Sequence, residues 1–230
     1  MHLGLLPADS TWGELTDEAG ELAQEHGLGE LQHSFPARAG ISVQKINRTY
    51  LFGPGLVRQD FDKQPEVFRW ADITAWTEPV AHHYQNGNYL HTNFAYTFTR
   101  SDGLSTKLEG DYRDALRVHR PESAHSLPQG TLLAQTCREL VKQLVDAALP
   151  AELDALERGE ALEFGDFSLT RQGFCRKGQL VPWTTVESAE VKDGWFRVKE
   201  AGRRRPRYQI AASRIPRFSL MIALIDTLDR

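Results

Sequence analysis

Residues 50–76 read YLFGPGLVRQDFDKQPEVFRWADITAW. An apolar run ends at Gly53-Pro54-Gly55, where glycine accepts positive φ and proline fixes a turn corner. A second run leaves the turn, and a third carries Phe68, Trp70 and Trp76. A shorter version of the phrase stands at residues 167–186, FSLTRQGFCRKGQLVPWTTV. Tyr50–Phe52 matches Phe167–Leu169, Gly55-Leu56-Val57 matches Gly173-Phe174-Cys175, and Trp70-Ala71-Asp72-Ile73 matches Trp183-Thr184-Thr185-Val186. Such self-similarity predicts one β unit built twice.

Outward from the first copy, Asn86-Gly87 is a strong two-residue hairpin signal, because a type I′ turn needs positive φ at both positions. Thr92–Arg100 alternates Phe94, Tyr96 and Phe98 with Asn93, Ala95 and Thr97, the period of a half-buried strand. Lys177-Gly178 and Asp193-Gly194 are the corresponding turn signals in the second copy. Each half then ends in an apolar stripe at helical spacing. The first is Leu133, Cys137, Leu140, Val141, Leu144 and Ala148, expected to stop at Pro150. The second is Phe218, Met221, Ile222, Ile225 and Leu228, with Pro216 placed in the first turn.

Upstream, Leu15, Ala19, Leu22 and Ala23 predict a short helix, capped by Ser10 or Thr11 and stopped at Gly27. LGELQHSFPARA (28–39) reads as an extended connector broken at Pro36, and 111–118 as a short helix. The chain therefore divides into an acidic arm with a short helix (1–40), a first module (41–150), a linker (151–160) that could hold one helical stretch ending at Gly159, and a smaller second module (161–230). A helix that follows strands can cover the apolar end of a curled sheet. The expected fold is mainly β with α: two modules, each a curled antiparallel sheet closed by a C-terminal amphipathic helix.

YLFGPGLV…VFRWADITAW, its counterpart around Pro182-Trp183, and the closing helix together resemble a family of uncharacterised bacterial proteins with tandem pleckstrin-homology-like (GRAM-like) domains. The resemblance covers residues 28–230, and FRWADIT is its most specific piece. It implies the fold described above. It implies no activity and carries over no functional residue. Some relatives carry membrane segments, from which this sequence departs.

The 230 residues are 40% apolar and 25% charged, the mix of an ordinary globular protein. No stretch approaches the roughly 18 apolar residues of a membrane span. MHLGLLPADSTWGEL lacks a basic start and a continuous apolar core, so no signal peptide is expected. Two cysteines, Cys137 and Cys175, read as reduced thiols, and the expected location is cytoplasmic. The net charge of −4 is uneven: residues 1–40 hold seven acids and one base, residues 161–230 eight acids and thirteen bases.

Two stretches are candidate sites. Around Asn86-Gly87, a regular two-residue turn would set His82 opposite His91 and Tyr84 opposite Tyr89, all four on one face of the ribbon. That face suits a protein contact. Two histidines fall short of a metal site, which wants a third and a fourth ligand; His119 and His125 are near in sequence only. Trp195, just after Asp193-Gly194, is a further candidate contact. The second stretch is basic: Arg197, Lys199, Arg203, Arg204, Arg205 and Arg207 at a hairpin tip could hold an acidic headgroup or phosphate. Nucleic acid is not expected, because the chain is acidic overall and no aromatic platform interleaves the patch.

No G-x-S-x-G, H-E-x-x-H or phosphate loop is present. Cys137 lies on an apolar stripe, where burial raises a thiol pKa rather than lowering it. No cofactor is expected. The reading is a non-catalytic binding or scaffolding protein whose partner is another protein. An anionic membrane surface at the basic hairpin and an unrecognised enzyme are the alternatives.

Overall fold

The repeated phrase folds twice into the same local structure. The computed structural model describes residues 13–38, 45–114 and 128–228. In the first copy β1 (Leu31–Arg38), β2 (Ile46–Phe52), β3 (Gly55–Gln59) and β4 (Glu66–Arg69) form an antiparallel meander in chain order. In the second copy β9 (Leu162–Phe164), β10 (Phe167–Thr170), β11 (Gly173–Arg176) and β12 (Gln179–Pro182) do the same. One 3-10 turn opened by tryptophan follows each meander, Trp70–Asp72 and Trp183–Thr185.

The two turns are latched alike. The backbone N–H of Trp70 donates to Pro54 O at 3.0 Å, and that of Trp183 to Gln172 O at 3.0 Å. The indole N–H groups reach back to the same hairpin, Trp70 Nε1 to Gly53 O at 2.8 Å and Trp183 Nε1 to Thr170 O at 3.2 Å. Gly55 lies opposite Arg69 and Gly173 opposite Pro182, one residue before each tryptophan. A Cβ at Gly55 would come 2.5 Å from Phe68 O, and one at Gly173 would overlap Val181 O. Both glycines are there because the neighbouring strand comes too close for a side chain. The tryptophans are half-buried staples over turn backbone.

After the turn come β5 (Ile73–Thr77), β6 (Val80–Gln85), β7 (Asn88–Arg100) and β8 (Ser105–Tyr112) in the first copy. The second has β13 (Val186–Lys192), β14 (Trp195–Glu200) and β15 (Tyr208–Ala211). β7 is the hub of its sheet, pairing with β5, β6 and β8, and β14 lies between β13 and β15. The turn signals hold: Asn86/Gly87, Lys177/Gly178 and Asp193/Gly194 all have positive φ at both positions.

The expected curled sheets closed by a helix are not formed. The described strands make four separate sheets, β1–β4, β5–β8, β9–β12 and β13–β15, each open at its edges. The strand ladder is interrupted between the fourth and fifth strands of each copy, where the tryptophan turn takes the chain out of extended conformation. What stands is a mixed fold of two similar sheet-and-helix units. The pleckstrin-homology-like (GRAM-like) resemblance, which implied closure, is corrected accordingly.

The chain divides into two compact units, Met1–Thr74 with Val80–Cys137, and Ala75–Pro79 with Arg138–Arg230. In the first unit α1 (Asp17–Glu25) lies on the first sheet. Ala19, Ala23 and Leu28 share a buried cluster with Tyr50, Phe52, Val57 and Val67. Thr16 caps it, accepting from Ala19 N, in place of the expected Ser10 or Thr11, which lie outside the described residues. Its end is a Schellman arrangement: Leu28 N donates to Ala23 O and Gly27 N to Gln24 O, with Gly27 at φ +64°. The stretch read as a connector is instead β1. Pro36 is tolerated because β1 is an edge strand, where a missing N–H breaks no ladder. The helix expected at 111–118 begins as the end of β8, and its remainder, with His119 and His125, lies outside the described residues.

α2 (Pro128–Glu157) starts against β8, where a Cβ at Gly130 would overlap Asp111 O. Leu133, Cys137, Leu140, Val141 and Leu144 are buried as their spacing requires. The stop at Pro150 does not occur: the helix continues to Glu157, taking in the helical stretch expected within 151–160, which does end at Gly159. Proline at 150 forgoes one backbone bond, yet buried Ala155 and Leu156 extend the apolar face beyond it. A second Schellman end closes α2, with Glu160 N on Ala155 O, Gly159 N on Leu156 O, and Gly159 at φ +85°.

In the second unit α3 (Phe218–Leu228) buries Leu220, Met221, Leu224 and Ile225, and its Phe218 meets Phe196 of β14 edge to face at 6.0 Å. Pro216 lies before the helix rather than in its first turn. The intervening Arg217, at φ +50°, donates its N–H to Trp76 O at 2.8 Å, and its guanidinium pairs with Glu152.

Candidate functional site

The hairpin β6–β7 keeps the expected turn but not the expected register. Tyr84 faces Tyr89, as a two-residue turn dictates, but His83 rather than His82 faces His91. One extra residue on β7, at Leu90, forms a bulge, and every pair beyond it moves by one. The four residues read as one face are thereby divided. Tyr89 stays with Tyr84 and His82: ring centroids are 5.8 Å apart for Tyr84–Tyr89 and 6.5 Å for His82–Tyr89, both edge to face. His91 stacks on His83 with centroids 4.6 Å apart and planes 12° apart.

Tyr89 fixes the base of this hairpin. Its hydroxyl shares a 2.8 Å hydrogen bond with the hydroxyl of buried Thr92, donates to Tyr112 O at 3.3 Å, and accepts from Asp114 N at 2.9 Å. His82 Nδ1 also meets Thr92 Oγ1 at 2.8 Å. All six residues of β6 are exposed, with Val80 at 42% and Tyr84 at 54%. Such a surface, apolar and aromatic with imidazoles between, can make contacts that mix packing with hydrogen bonds. Among the described residues no three His, Cys, Asp or Glu side chains are placed to hold one metal ion.

Trp195, in the second unit, is 41% exposed and sits opposite Lys192 on one side and Ala211 on the other. The basic stretch is drawn out along β14 and its loop. Lys199 pairs with Glu187 at 2.7 Å and Arg203 with Glu200 at 2.7 Å. Arg207 Nη2 donates to Gln179 Oε1 at 3.0 Å and its guanidinium lies 5.9 Å from the Tyr208 ring centroid. Arg197 is half-buried opposite Glu190. Arg204 and Arg205 are exposed at the loop tip.

A cleft of about 520 Å³ in the first unit lies beside α1, and the described residues that line it include Leu15, Ala23, Leu31 and Phe52; among those described, Gln24 has the one polar side chain and none is titratable. The described lining could meet an apolar group.

A family model, that of a family of unknown function (DUF6585), matches residues 133–230. The match takes in the second copy of the repeat and less than half of the chain. It gives no support to the pleckstrin-homology-like and GRAM-like descriptions, and it names no activity. No curated protein and no solved structure matches the chain. No helix among the described residues is long and apolar enough to cross a membrane.

Sequence reasoning missed His83, Thr92 and Asp114 as members of the hairpin. One signal for them existed. The buried positions of β7 are the even ones, Thr92, Phe94, Tyr96 and Phe98. Tyr89 is out of phase with them, and an out-of-phase aromatic beside a tight turn is what a bulge would bring back into line.

Proposed function

We propose that this protein is a non-catalytic binding or scaffolding protein whose contact with another protein is made by the β6–β7 hairpin. The observation that carries the reading is the exposure of all six residues of β6, Tyr84 above all, on a ribbon whose base is pinned by Tyr89. Exposed aromatics on a pre-ordered support lose little entropy on binding and are typical contact anchors. The two tryptophan latches serve the same end, since they stiffen the turns between sheets without forming a reactive site. A reducing, cytoplasmic setting accords with Cys137 and Cys175 both being free thiols.

Site-specific photo-crosslinking tests the reading. A crosslinking residue at position 84 or 90 is expected to trap a protein in cells, whereas one at Glu187, on the outer strand of the second unit, is not. Equal capture from both positions, or none from 84 and 90, would contradict it.

A further inference from the structure

Two cations of the second unit are held in place by aromatic rings as well as by polar contacts. Both meet Tyr208, which is buried and whose hydroxyl donates to Gln179 O at 3.1 Å. Arg176, on β11, has its Cζ 5.8 Å from the centroid of this ring and 5.2 Å from that of Phe167. Arg207, in the loop before β15, has its Cζ 5.9 Å from the Tyr208 centroid. Gln179 ties the two together: it lies opposite Arg176 across the Lys177-Gly178 turn, and its Oε1 accepts from Arg207 Nη2 at 3.0 Å. A guanidinium stacked on a ring is set in direction before a ligand arrives, and its planar fork fits the oxygens of a phosphate.

The charge of this pair is poorly answered. Arg207 has no carboxylate partner among the described residues. Arg176 meets Asp166 through one nitrogen at 3.3 Å, and that carboxylate is itself exposed. The Nε–H groups of both arginines are buried without an acceptor among the described residues, a rare condition in a folded protein. Glu187 and Glu200 are taken by Lys199 and Arg203. Arg204 and Arg205, just before Arg207 in the chain, are exposed. We infer that Arg176 and Arg207 together bind a phosphate monoester group, and that Arg204 and Arg205 add attraction at longer range. The class of ligand follows from the donors. One fork satisfies a carboxylate, whereas two forks around one ring suit an anion with three acceptor oxygens and a charge near −2. A nucleic-acid strand would bring bases that need an open aromatic face, and Tyr208 is buried. The site uses no residue of β6 or β7, so it stands or falls independently of the hairpin contact.

Calorimetric titration of the full chain with inorganic phosphate at constant ionic strength tests this. Binding with a Kd of about 1 mM or below is expected. Arg176→Gln and Arg207→Gln are each expected to weaken it at least about fivefold, while Arg171→Gln, at the other end of the β10–β11 hairpin, leaves it unchanged. Arg176→Lys and Arg207→Lys keep the charge but lose the fork, and they too are expected to weaken binding. They replace the glutamine variants if thermal unfolding shows that either of those is not folded. Co-sedimentation with phosphatidylcholine vesicles, with and without phosphatidic acid, identifies the source of the group. Co-sedimentation that needs phosphatidic acid and is lost in the same variants assigns it to a lipid headgroup; phosphate binding without co-sedimentation assigns it to a free phosphate ester. The inference is overturned if neither probe binds, or if binding is indifferent to Arg176 and Arg207, or if Arg171→Gln weakens it as much as Arg207→Gln does.

Discussion

Glu78 caps a helix that begins 140 residues later through Ser219: its carboxylate accepts Ser219 N–H at 3.1 Å and Ser219 Oγ–H at 2.5 Å. The same carboxylate accepts the indole N–H of Trp76 at 3.0 Å. A negative charge at the first turn of α3 is stabilised by the free amides there. Glu78→Ala removes the cap and leaves these donors without their partner, which is expected to cost about 1–2 kcal/mol. Glu78→Gln should cost less. Urea denaturation followed through the second unit checks both.

The paired latches give a prediction peculiar to a duplicated unit. Trp70→Phe and Trp183→Phe each delete one indole-to-carbonyl bond and keep an aromatic ring, and each is expected to cost about 1 kcal/mol. Gly55→Ala and Gly173→Ala drive a methyl into a neighbouring carbonyl, for an expected cost of about 1–3 kcal/mol. Similar costs within each pair, measured by denaturant midpoints, are the expected outcome.

The repeat was legible because its marks are chemical: a glycine where strands touch, and a tryptophan one residue after the position opposite it. Closure of the sheets was not legible. Whether a ladder continues past Trp70 or Trp183 depends on three residues of backbone geometry, and neither WAD nor WTT announces a 3-10 turn. Pro150 misled for a related reason. A proline's local cost is readable from sequence, but the burial of Leu156, which helps to offset it and join the helical stretches on either side into one, is decided by packing. At the hairpin, turn chemistry fixed Tyr84 against Tyr89, whereas the bulge at Leu90 that moved His91 onto His83 carries no glycine to mark it.

Tyr89→Phe isolates the pin of the hairpin. The substitution removes the acceptor for Asp114 N–H and a partner of the buried Thr92 hydroxyl, and an expected cost of about 1–2 kcal/mol follows. The Asp114 amide should exchange faster with solvent, while the type I′ turn at Asn86-Gly87 persists. Proton exchange followed by NMR reads both.

Alkaline pH should reach Tyr50 in the first unit. Burial pushes its phenol above the ordinary value, against smaller opposing effects of hydrogen bonding to Thr16 and the charge of Arg48. The folded state thus favours the neutral phenol. Its contribution is complete below the unfolded value near 10 and is lost as pH rises through the folded value. Tyr50→Phe should flatten the stability profile above pH ~10, as measured by chemical denaturation across pH.

Acidification should act on Asp102 in the opposite sense. Hydrogen bonding from Arg100, and then from the Leu104 N–H, holds its carboxyl below the usual range. The stabilising contribution is present above the unfolded value and is lost as pH falls through the folded one. An NMR titration should find Asp102 protonating later than an ordinary aspartate, and Arg100→Gln should move it back up.

The proposed protein contact belongs to the β6–β7 hairpin, whose β6 side chains are exposed. Photo-crosslinking in cells from position 84 tests it most directly. A crosslinker there is expected to capture a protein that one at Glu187 does not. Equal capture from both positions, or none from position 84, would contradict it.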